Sequence, residues 1–177
     1  MEPSASRELL ADLFEEYSQW YSSLAEDYGS LPRSISGVGG DNRQFIYLLD
    51  ELELHHMVRN KYIRFVLDSM NSRAYAYGSL DLRGDSEEGE LQELLDIVAA
   101  DAFHYITGSW RVVRAGDGRV TDLVHLGTRE GDDTQKHAAS WFLAGSSRFS
   151  EAEKERFGAI WDEARTGVIF KNRTGED

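Results

Sequence analysis

No cysteine occurs among the 177 residues. Its absence excludes a disulfide framework and any zinc site built on thiolates, and it fits a reducing, cytoplasmic setting. No apolar run approaches the roughly 18–20 residues of a membrane-spanning helix, so no membrane insertion is expected. The opening stretch MEPSASRELLADLFEE has no basic segment leading into an apolar core, which argues against a secretory leader. Positive charge is also scarce, with 19 Lys and Arg against 32 Asp and Glu, for a formal net charge of -13. Such a surface repels phosphate backbones, so no nucleic-acid partner is expected. Familiar signatures are missing too. There is no Gly-x-Ser-x-Gly elbow, no G-x-x-x-x-G-K-[ST] loop, no internal repeat and no sustained heptad, and no cofactor is implied.

What is present describes an ordinary globular chain, 41% hydrophobic and 29% charged. Its length fits one domain over 1–177, with a helical half at 1–71 and a mixed half at 72–177. A boundary near 71–85 is the alternative division. The negative charge suits a basic protein or a cationic ligand, although solubility alone would also account for it.

Leu10, Leu13, Tyr17, Trp20, Leu24 and Tyr28 recur at three- and four-residue steps, which predicts a helix over 5–28 stopped by Gly29. Residues 30–40, rich in glycine and serine, read as a loop. Asp41 with Gln44 has capping-box spacing, and Phe45, Leu48, Leu49 and Leu52 follow at helical steps. Two joined helical segments, 42–57 and 59–70, are expected there. Residues 73–82 alternate and read as a strand with a weak point at Gly78. Asp85 and Glu88 form another capping pair. Leu91, Leu94, Leu95, Val98, Ala102, Phe103 and Ile106 then suggest a helix over 86–106.

A hairpin follows at 110–126, turning at Asp117-Gly118, with Trp110 opposite His125 and Val112 opposite Leu123. Residues 127–135 read as a polar loop and 136–145 as a strand. Ser150 and Glu153 form a capping box, Phe157, Ile160 and Trp161 sit at helical spacing beyond it, and 168–170 make a short last strand. The order implies an α+β fold, with helices packed on one face of a mostly antiparallel sheet.

Three sets of residues have chemical potential. Glu53 with His56, and Asp101 with His104, show the carboxylate-x-x-His spacing of helical di-metal sites, with Glu15 or Glu16 as further ligands. With so many carboxylates, chance also produces such pairs. His104, His125 and His137 are candidates for acid–base catalysis, with Asp101 or Asp122 orienting an imidazole. Ser140 lacks the context of a nucleophile. The third set is aromatic: Tyr17, Trp20, Tyr21 and Tyr28 form either a core stripe or an exposed contact surface. Two loops read as plain connections. Gly37–Asp41 lacks a nucleotide-binding pattern, and Glu130, Asp132 and Asp133 do not complete a calcium loop.

The resulting expectation is an acidic cytoplasmic domain that binds a protein partner, as a regulator, inhibitor or immunity-type adaptor. The rivals are a small enzyme with a His-lined cavity and a metal-binding helical protein. The sequence sets no oligomeric state.

Overall fold

The computed structural model describes residues 3–50, 52, 54–84, 91–132 and 149–173, with side chains from residue 7 onward. Chain order is α1 (Pro3–Tyr28), β1 (Ser34–Gly39), β2 (Arg43–Leu48), α2 (His56–Ser69), β3 (Ser72–Gly84), β4 (Leu91–Ala100), β5 (Tyr105–Arg114), β6 (Val120–Gly131), α3 (Glu151–Ala164) and β7 (Ile169–Asn172). The strands form one sheet in the order β6-β5-β4-β3-β1-β2-β7, and every pairing is antiparallel. This is an α+β fold. Among the described residues no helix is long and apolar enough to cross a membrane.

The helices divide between the two sheet faces, where the sequence placed them on one. α1 lays Leu10, Leu13, Tyr17, Tyr21 and Ala25 against Val38, Ala74, Ala76, Leu95, Ile97 and Ala99. Small alanines on β3 let the tyrosines of α1 approach closely. On the other face, α2 and α3 pack Tyr62, Ile63, Val66, Phe157 and Trp161 against Ile35, Phe45, Tyr47, Tyr75 and Val98. Both ends of α1 meet β6: Arg7 pairs with Asp132, and the Gly29 carbonyl accepts the Val120 amide at 2.9 Å. Yet Glu16, in the middle of α1, reaches Lys171 and Arg173 at the opposite sheet edge. A straight helix can touch both edges in this way only if the sheet curls around it.

Several expected elements are replaced. Residues 42–57 do not begin a helix: Arg43–Leu48 is a strand paired with β1, and the presumed loop at 30–40 contains β1 itself. Asp41 therefore caps no helix, and instead accepts the Arg43 amide in the β1–β2 turn at 3.1 Å. The described part of the helix predicted over 86–106, from residue 91 on, is β4, a tight turn and the start of β5. Leu95, Ile97 and Ala99 of β4 face α1 while Val98 and Ala100 face the other core. A strand buried on both faces is apolar at consecutive positions, and such a run also satisfies a helical stripe. Residues 127–131, read as a loop, continue β6.

Other expectations hold. α1 ends at Tyr28, the Ser150–Glu153 capping box starts α3, and residues 169–172 form the last strand. In the hairpin, Trp110 does face His125 and Val112 does face Leu123. The turn is one residue longer than expected. Gly118, at φ +85°, closes a loop over 116–118, and a bulge at Thr121 restores the register. The Asp85–Glu88 pair and the strand expected at 136–145 lie outside the described residues.

Candidate functional site

The Asp101–His104 pair sits on the β4–β5 turn, where a helix was expected. Asp101 is only 4% exposed, and its Oδ1 accepts the amides of Phe103 at 2.6 Å and His104 at 2.7 Å. The Asp101 amide donates to the His104 carbonyl at 3.0 Å. These bonds fix the turn and place His104 Nδ1 3.5 Å from Asp101 Oδ1. The other ring nitrogen, Nε2, lies 3.9 Å from Asp132 Oδ1 at the end of β6. Arg7 of α1 closes the group with a 2.6 Å bond from Nη2 to the same Asp132 oxygen.

Arg7, His104 and Asp132 line a cleft of about 500 Å³ between the start of α1, the start of β5 and the end of β6, with Glu8 and Glu130 on its walls; Asp101 lies behind His104 and is not part of the lining. The arrangement resembles an acid–base pair in outline, with a buried carboxylate beside one ring nitrogen of a largely buried imidazole, but His104 Nδ1 makes no hydrogen bond among the described residues. The described lining holds no Ser, Thr or Cys side chain.

The other histidines stand elsewhere. His125 is on the edge strand β6, its ring 5.1 Å from that of Trp110 and its Nε2 2.9 Å from Thr128 Oγ1. His104 precedes Tyr105, whereas His125 pairs with Trp110, so the two are about 20 Å apart along the strand. They do not converge. His56 is exposed at the start of α2, its ring 4.3 Å from that of His55. No three His, Asp or Glu side chains among the described residues gather to hold a metal. Glu53, the intended partner of His56, and His137, Ser140 and Asp133 lie outside the described residues.

The aromatic set separates. Tyr17 and Tyr21 are buried, and both hydroxyls meet Ser34 Oγ beneath α1. Trp20 is half-buried, stacked on Tyr17 with ring centroids 5.4 Å apart. Only Tyr28, at 72%, is strongly exposed. Burial pushes the hydroxyl pKa values of Tyr17 and Tyr21 well up. These tyrosines hold the helix to the sheet and do not form a surface patch.

What α1 does present outward is acid. Glu8, Asp12, Glu15 and Glu26 are exposed and lie three or four residues apart once Gln19 and Ser22 are counted in the row, and exposed Asp27 lies beside its end. Among the described residues, Glu8, Asp12, Glu26 and Asp27 have no Lys or Arg within ion-pair distance. These acids were legible only as the polar side of the first helix. Arg7, which joins α1 to the cleft, carried no sequence signal of its own. No family model, curated protein or solved structure matches this chain.

Proposed function

We propose that this protein works by binding a basic protein partner along the outer face of α1, as an adaptor, inhibitor or immunity-type domain. The observation that carries this reading is the row of exposed carboxylates on α1, of which Glu8, Asp12, Glu26 and Asp27 meet no Lys or Arg among the described residues. From Glu8 to Asp27 it runs about 28 Å, at 1.5 Å rise per residue. Like charges three and four apart weaken a helix, and Glu26 and Asp27 oppose the negative end of its dipole. The helix thus carries charges that reduce its own stability, and a cationic partner would relieve both penalties. The net charge of -13 would draw such a partner in over long range. Tyr28, exposed at the end of the row, offers an aromatic contact at the same place. A cytoplasmic setting fits the lack of cysteine.

Affinity capture at low salt tests the reading. The wild-type protein should retain a stoichiometric basic partner that elevated salt releases. The variant D12N/E15Q/E26Q/D27N should fail to retain it. Capture of the same proteins by both would contradict the assignment.

A second reading rests on the Asp101–His104 pair and its open cleft, which would suit general acid–base chemistry on a small polar substrate. Turnover of such a substrate, abolished by H104N and D101N, would support it, whereas inert wild-type protein would count against it.

A further inference from the structure

Neighbouring residues on a strand point to opposite sides of the sheet, and β5 and β6 alternate pair by pair. Ile106 and Glu130 are partners on the α1 side, at the His104 cleft. The next pair, Thr107 and Arg129, projects from the other side, as does Val98, the partner of Thr107 on β4. On β4 the α2–α3 core stops at Val98, and the next residue on that side is the charged Asp96. Asp96, Ser109 and Gly127 form a second row across the same three strands. These two rows, with Arg83 of β3, line a separate cleft of about 440 Å³, a volume in the range of small-ligand pockets.

The polar groups of this cleft are unevenly matched. Asp96 has a side chain only 20% exposed, and both its oxygens are engaged: Oδ1 accepts the Ser109 hydroxyl and Oδ2 accepts Arg83 Nη2. Arg83 has a second carboxylate, Asp81, 3.4 Å from its Nε. Arg129 has none. Among the described residues its guanidinium meets no Asp or Glu at ion-pair distance. The Ser109 proton is spent on Asp96, so Ser109 Oγ is left as an acceptor. Gly127 keeps the floor beside Ser109 open, since a Cβ placed there would meet nothing within 4 Å. The cleft thus offers cationic donors at the Thr107–Arg129 row and oxygen acceptors at the Asp96–Ser109 row, about 7 Å apart along β5.

We propose that this cleft binds a small hydroxylated carboxylic acid, such as a sugar acid, independently of the α1 surface. The ligand carboxylate pairs with the planar fork of Arg129 and supplies the counter-charge that Arg129 lacks. The ligand hydroxyls donate to Ser109 Oγ and Asp96, and the Thr107 hydroxyl lies between the two rows. A simple carboxylate satisfies only the first row, and a neutral sugar only the second.

Titration with sodium D-glucuronate, followed by the backbone amide resonances of Thr107, Ser109, Gly127 and Thr128, tests the proposal. Sodium acetate presents the carboxylate alone and glucose the hydroxyls alone. Sodium chloride at matched ionic strength is the control. Saturable shifts are expected with glucuronate and absent with chloride, and acetate and glucose should each bind at least tenfold more weakly. R129Q alters an exposed side chain and should lower glucuronate affinity at least tenfold. R129K keeps the charge without the fork and should lower it at least threefold, while R165Q, just beyond α3, changes nothing. Shifts that chloride reproduces, no saturable shift with glucuronate, equal affinity for acetate or glucose, or unchanged affinity in R129Q would overturn the site.

Discussion

The hydroxyl oxygens of Tyr21 and Ser34 stand 2.8 Å apart in the dry space between α1 and β1. Tyr21 also donates to the Pro32 carbonyl at 2.6 Å, which uses its single proton. Ser34 must then donate to Tyr21, and Tyr17 to Ser34. The result is a directed chain from Tyr17 through Ser34 and Tyr21 to Pro32, and it anchors the long helix to the sheet.

The direction of that chain ranks two substitutions. S34A removes the middle link and strands the buried Tyr17 hydroxyl without an acceptor, at a cost of about 2–3 kcal/mol. Y17F removes only the outermost donor and should cost less, about 1 kcal/mol. Urea unfolding of both variants checks the order.

The same tyrosines set the alkaline limit of stability. Tyr17, Tyr21, Tyr62 and Tyr77 all have raised pKa values, chiefly because burial disfavours the phenolate. As pH rises past about 10, the unfolded chain releases these protons before the folded one. Stability is therefore complete below pH 10 and falls above it. Tyrosinate absorbance should lag behind that of the exposed tyrosines and rise together with unfolding.

Gly78 tests the closeness of that contact. A Cβ built there would run into the ring and hydroxyl of Tyr21. G78A should destabilise the protein by about 1–3 kcal/mol through overpacking, and G78A/Y21F should not recover it, because the ring remains. Thermal melting compares the variants.

The charges at the end of α1 make the opposite prediction. E26Q/D27N removes two carboxylates from the negative end of the helix dipole and should stabilise the protein by about 0.5–1 kcal/mol. The gain should shrink in high salt. A loss of stability would show that these acids have structural partners.

The sequence revealed elements that bury one face or bind their own ends. α1 shows a helical stripe because only one side of it meets the sheet, and Ser150 with Glu153 marks α3 because that capping is local. The pattern failed where burial is two-sided. All six residues of β1 are buried, and its small side chains leave room for Phe45 beside Gly37, so the strand resembled a flexible loop. Phe45 of β2 and Leu49 just beyond it share helical spacing by coincidence, while Phe45 and Tyr47 follow the strand period into the α2–α3 core. The Asp101–His104 proximity was legible from spacing alone, because a turn and a helix both bring such residues together. The approach of Asp132 and Arg7 depends on the curl of the sheet around α1, which no local pattern records. The separation of Tyr28 from Tyr17 and Tyr21 was likewise hidden, since all of them fit one stripe.

The most direct measurement is the affinity of the captured partner across a salt series, for the wild type and for D12N/E15Q/E26Q/D27N. Binding through the α1 carboxylates predicts a steep fall with salt in the wild type and a weak, nearly flat dependence in the variant. Equal affinities and equal slopes would contradict the account.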